Sequence, residues 1–131
     1  MSERGATGQA AAIAQGLWEA LGAGDWDAAR SMLHEDFVQE WPQSGERIVG
    51  RDDALEIDRN FPGGLPAMTF RRTVADGDLA IVETELRYAD GSTYHGVSVI
   101  ELRDGKVVRE TDYFAEPFRA PEWRSAWVQR M

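Results

Sequence analysis

The chain has 131 residues, 43% of them apolar, with five tryptophans and a formal charge of −9. That length and apolar content suit one packed domain and are too small for two. The acidic balance argues against nucleic acid and anionic membrane as partners, since both call for a basic surface. With no cysteine and only two histidines, disulfides, thiolate nucleophiles and a structural zinc site are not expected. No stretch approaches the roughly 20 apolar residues of a membrane span, and the first residues lack the basic-then-apolar pattern of a secretion signal. A cytoplasmic protein without metal or cofactor is the expectation.

Residues 1–8 are small and polar and read as a disordered tail, leaving a single domain over residues 9–131. From Gln9 the pattern is helical, with Ala14, Leu17, Trp18 and Leu21 on one stripe. Gly22-Ala-Gly24 ends that helix and Asp25 is a good N-cap for the next, which runs through Trp26, Ala29, Met32 and Leu33 to about His34. Phe37–Trp41 reads as a short strand stopped by Pro42. Residues 43–50 form a loop, and a third helix starts near Asp52 or Asp53, carrying Ala54, Leu55 and Ile57 toward Phe61.

After Pro62-Gly-Gly-Leu-Pro66 the pattern changes to strands: Met68–Ala75, Leu79–Ala89, Thr93–Arg103 and Lys106–Ala115. They are separated by Asp76-Gly77, Asp90-Gly91 and Asp104-Gly105, and Asp-Gly between alternating runs marks a hairpin. A last short helix spans residues 121–129 with Trp123 and Trp127 four apart. The fold class is α+β, with helices on one face of a curved antiparallel sheet; if that sheet wraps around its three helices, it forms a cone with an internal pocket.

Two-residue turns fix the pairing by arithmetic. His95 then faces Leu86 and Phe114, Val97 faces Thr84 and Asp112, and Val99 faces Val82 and Glu110. The inner face reads Val82, Thr84, Leu86, His95, Val97, Val99, Val108, Glu110, Asp112 and Phe114; the other face is wetter. A bulge would slip a pairing by one residue. The first hairpin is where one is expected, because Met68 and Phe70 join the apolar face only with that slip.

Carboxylates held among apolar groups are those whose pKa rises and whose proton chemistry becomes useful. Asp112 is the candidate general acid or base, His95 its partner across the sheet, and Glu110 the like charge that separates the two carboxyl pKa values. The plain alternatives are a hydrogen-bonded buried Asp, a Glu paired with Lys106, Arg71 or Arg72, and a wall histidine. Gln39 and Trp41 alternate on the first strand, Trp41 offering a flat surface to a ring-bearing ligand. The expected pocket lining is Leu17, Gln39, Trp41, Phe61, Thr84 and Leu86, continued by Val97, Val99 and Phe114.

Several local motifs, in this order, resemble the nuclear transport factor 2-like superfamily, which includes ketosteroid isomerases, limonene epoxide hydrolases and SnoaL-like polyketide cyclases. They are Ala23-Gly-Asp-Trp-Asp-Ala-Ala29, His34-Glu-Asp-Phe-Val38, Gly50-Arg-Asp52, Arg103-Asp-Gly-Lys-Val107 and Asp112-Tyr-Phe114. The resemblance implies a conical pocket and a homodimer through the outer sheet face. It also sets limits. The ketosteroid isomerase base and oxyanion-hole positions fall on Trp41, Val97 and Leu17. Of the epoxide hydrolase residues, Asp112 alone matches, with Thr84, Leu86, Gln39 and Trp41 at the others. The acid–base His and Asp of the SnoaL-like cyclases have possible counterparts in His95 and Asp112. The resemblance implies a cofactor-independent isomerase, cyclase or hydrolase acting on a small apolar molecule. The alternative is a non-catalytic ligand-binding or dimerisation module of the same fold.

Overall fold

The computed structural model describes residues 2–131, with side chains from residue 8 onward. The tail expected over residues 1–8 thus falls largely on side chains outside the described residues. Three helices, α1 (Ser2–Gly22), α2 (Trp26–Met32) and α3 (Arg51–Arg59), accompany six strands: β1 (Leu33–Trp41), β2 (Glu46–Val49), β3 (Ala67–Asp76), β4 (Leu79–Arg87), β5 (Thr93–Arg103) and β6 (Lys106–Ala115). The expected loop over residues 43–50 contains β2. The last helix is a 3-10 turn, Glu122–Trp127, whose tryptophans are exposed. No described helix is long and apolar enough to cross a membrane.

The strand order is β2-β1-β6-β5-β4-β3, an open sheet with β2 and β3 as edges. It is mixed where an antiparallel sheet was expected, because β1 runs parallel to β6. Such a pairing joins the two ends of the fold and leaves no hairpin signal in the sequence. α1 lies on the sheet with Ala10, Ala14 and Leu17 buried, and Trp18 meets Phe70 edge to face at 5.1 Å. Asp25 caps α2 by accepting from the Ala28 N–H at 3.2 Å. The apolar centre is built by Leu17, Phe37, Val82, Ile100 and Val107.

Three local irregularities decide which side chains face in. The expected slip in the first hairpin is present: β3 bulges at Arg71, so Met68 pairs with Leu86 and Phe70 with Thr84. The second hairpin closes with three residues, not two. The Tyr88 N–H donates to the Ser92 carbonyl at 2.9 Å, and Gly91 has φ 87°. Asp90 Oδ1 holds that turn by accepting from Ser92 N at 2.8 Å and Ser92 Oγ at 2.6 Å. The third hairpin has its expected two-residue turn, with positive φ at Asp104 and Gly105, but β6 then bulges at Val108.

The second and third slips are one residue each and offset one another. β4 and the far half of β6 keep their expected facing, while β5 between them is turned over. Gly96, Ser98, Ile100 and Leu102 point inward. His95 and Val97 are exposed, and Val99 shares their outer face, which corrects the expectation that these three line the interior. Val108 likewise yields its inner place to Val107. The inward Gly96 has a physical reason: a Cβ there would stand 2.6 Å from Thr84 Oγ1.

Candidate acid–base site

The centre of the candidate site is the pair Glu110 and Asp112, two residues apart on β6 and therefore on one face. They are 6% and 3% exposed. The parallel strand β1 sets Gln39 beside Glu110 in register, and Trp41 follows on the same face. Gln39 Nε2 donates to Asp112 Oδ2 at 2.7 Å and to Glu110 Oε2 at 3.0 Å, so one amide joins both carboxyls. Trp41 Nε1 donates to Asp112 Oδ2 at 3.1 Å, and Ser98 Oγ to Asp112 Oδ1 at 2.6 Å. Ser98 reaches Asp112 because it is the cross-strand partner in the turned-over β5. At the strand's end Gln43 donates to the Phe114 carbonyl and accepts from the Phe114 N–H, tying β6 to the turn after β1.

Three side-chain donors, from Gln39, Trp41 and Ser98, converge on Asp112 and satisfy both of its oxygens. Glu110 is in the opposite situation. Burial first, then the neighbouring Asp112 charge, a hydrogen bond with Asp112 and the charge of Asp58 push its pKa well above the carboxylate range. Glu110 is therefore the carboxyl whose protonated form these surroundings favour. None of the three carboxyls joins an ion pair among the described residues.

Asp58 comes from α3, where Ala54, Leu55 and Asp58 make the inward stripe and Ile57 is exposed. Burial and the Asp112 charge raise its carboxyl to about 6. In the sequence Ile57, the apolar residue of this turn, is the one expected to face inward, and Asp58 takes that place. The one available signal was a carboxylate at i+4 from a buried alanine, where an apolar side chain is the norm. Ser98 was missed because a two-residue second turn puts Val97 and Val99 inward, whereas the three-residue turn puts Ser98 there.

The remaining candidates separate cleanly. Thr84 and Leu86 are buried on the inner wall of β4, and Phe114 is half-buried beyond Asp112. Leu17 is central core. Phe61 stacks on Tyr88 at 5.9 Å between ring centres. His95 stands near Glu85 on the outer surface and is not a partner of Asp112. Shallow concavities open between β2 and α3, bounded by Arg47, Val49 and Ile57, and beside Tyr88 and Tyr94; neither is lined by Glu110 or Asp112. Among the described residues no group of three or more His, Asp or Glu side chains is arranged to hold a metal ion.

Comparison with known proteins agrees with this architecture. The family model of the SnoaL-like domain matches residues 14–110. A nuclear transport factor 2-like protein of unknown function from Burkholderia xenovorans LB400 is similar over 94% of this chain and 95% of its own, at 40% identity and a TM-score of 0.79. A candidate ketosteroid isomerase from Kribbella flavida DSM 17836 is similar at 35% identity and a TM-score of 0.88, covering 95% and 91%. An epoxide hydrolase of the limonene type from M. tuberculosis is similar at 26% identity and a TM-score of 0.72, covering 82% and 84%. No curated protein matches the chain. With the family match spanning most of the sequence and the open, helix-backed sheet common to these structures, the chain belongs to the SnoaL-like family of the nuclear transport factor 2-like fold.

Proposed function

We propose that the chain is a cofactor-independent acid–base enzyme, of isomerase, cyclase or hydrolase type, acting on a small, largely apolar molecule. The observation that carries this reading is the buried carboxyl pair bridged by Gln39, in which burial and the Asp112 charge raise the Glu110 pKa and Asp112 is surrounded by donors. In a cycle Asp112 takes a proton from a substrate carbon or from water, and Glu110 gives its proton to the oxygen where negative charge develops. Each carboxyl returns to its starting state when the two protons are exchanged back. Trp41, Phe114 and Leu86 supply the apolar surface, and substrate approaches past the half-buried Gln39 and Trp41. The similar proteins from Kribbella flavida and M. tuberculosis support a reaction of this class.

Asp112→Asn tests the assignment, since it keeps the shape and the acceptor oxygen but removes the base. In a panel of enone isomerisations and epoxide hydrations, an activity of the native chain should fall on the order of 10²–10⁴-fold in the variant. An activity that survives unchanged in a folded variant refutes the role.

A second reading, a non-catalytic module, is favoured by one observation: the pair lines neither surface concavity. It is supported if small apolar ligands raise the thermal midpoint of the native chain but none is turned over. We further propose a homodimer through the outer sheet face, where Ile81, Val97 and Tyr113 are exposed between the ion pairs Arg71–Glu85 and Arg72–Glu83. Charges already paired within the face keep their partners when it is covered, so none is left buried and unpaired. Sedimentation should show twice the 14.6 kDa chain mass and a shift to monomer for Tyr113→Lys; a monomeric native chain removes the proposal.

A further inference from the structure

We infer that the C-terminal strap, residues 116–131, docks on a second copy of this chain, in the acidic groove between β2 and α3. Phe118, Trp123 and Trp127 are 80%, 75% and 80% exposed, and the acid–base site uses none of them. Large aromatic side chains left uncovered on one short segment mark a contact surface. Arg119, Arg124 and Arg130 are interleaved with these rings, against the two glutamates Glu116 and Glu122. None of the three arginines joins an ion pair among the described residues. A basic, aromatic segment thus closes a chain whose formal charge is −9.

The groove has the complementary character. Its lining includes Val49, 68% exposed, and the exposed Ile57. Glu46 and Asp53 line it too and have no ion pair among the described residues, whereas Arg47 is held by Glu40 at 2.9 Å. β2 is also an open edge of the sheet, and natural proteins cover such edges with a helix or loop. Opposite free charge therefore joins two apolar surfaces that a single copy leaves bare. Area points to a second copy as the occupant. At about 150–250 Å² per aromatic side chain, the three rings bring about 500 Å² of exposed surface to the contact. Reciprocal exchange, counted on both partners, comes to about 2,000 Å², the size of a stable protein–protein interface. Reach allows it: Pro117 and Pro121 favour an extended lead-in, with Pro121 at φ −64° and ψ 138°. Six such residues span about 19 Å, enough to carry the tryptophans clear of the end of β6. The contact uses neither the buried carboxyls nor the outer sheet face, and stands apart from both readings above.

The chain has no cysteine, so single cysteines can mark the two surfaces for the test. Full-length Ser125→Cys and Asn60→Cys chains, carrying different tags, are mixed and treated with a short bismaleimide. A cross-linked dimer bearing both tags is expected. Its yield should fall roughly tenfold when Trp123→Ala and Trp127→Ala are added to the strap, or Val49→Lys to the groove. All of these positions are exposed, so the fold is retained. Tyr113→Lys, a change on the outer sheet face, should leave the yield as it was. Absence of the two-tag product overturns the inference. So does closure of a doubly substituted chain on itself in place of that product, which puts the strap in the groove of its own copy. A cross-link that Tyr113→Lys abolishes and the tryptophan changes do not belongs to the sheet face, and overturns the strap contact while supporting that dimer.

Discussion

Replacing Glu110 by Gln isolates the buried proton. The folded chain holds it well above the ordinary carboxylate pKa, because of burial and the adjacent Asp112, whereas an unfolded glutamate releases it near 4.3. Between those two values the folded state binds one proton more than the unfolded state. Stability is therefore present in full at low pH and declines as pH rises through that window, by about 1.4 kcal/mol per pH unit. Asp58 adds a window of the same sign, from its unfolded value of 3.8 to about 6, costing about 3 kcal/mol by pH 6.

Glutamine carries a permanent donor in the place of the shared proton, keeps the bond toward Asp112 and does not titrate. Glu110→Gln should accordingly come nearest the native chain at the low end of the range and exceed it increasingly as pH rises toward 8, the direction set by the raised pKa of the buried glutamate. Urea unfolding followed by tryptophan fluorescence at pH 5, 6, 7 and 8 measures both curves. Parallel curves across that range would show that Glu110 is already ionised in the folded chain, and the reasoning about the site would be refuted.

Two further outcomes test the facing of β5. His95→Ala should change stability by no more than about 0.5 kcal/mol and leave any activity intact, since the ring lies on the outer surface. A loss of activity would return His95 to the site. Gly96→Ala should destabilise by about 1–3 kcal/mol because its Cβ meets Thr84 Oγ1 at 2.6 Å; a shorter partner, Thr84→Ala, should recover part of that loss in the double variant, as a thermal melt can show.

Much of this protein was legible from short-range pattern. The stripes of α1, the Asp25 cap, the Asp-Gly turns and the slip in the first hairpin are all local consequences of periodicity and backbone preference. The inward facing of Glu110 and Asp112 was legible for the same reason: side chains two apart on a strand share a face. The orientation of β5 was not. It depends on whether a turn closes with two residues or three, and Asp90 decides that by bonding Ser92. One residue more or less reverses an entire strand, so His95 left the site and Ser98 entered it.

The parallel pairing of β1 with β6 lay further beyond the sequence, since it brings together residues about seventy positions apart with no connecting turn between them. That pairing sets Gln39 between the two carboxyls and Trp41 on Asp112, and the docking of α3 adds Asp58. Local order along the chain named the acidic pair. Packing of distant segments chose its donors, its third carboxyl and the low-dielectric surroundings that hold a proton there.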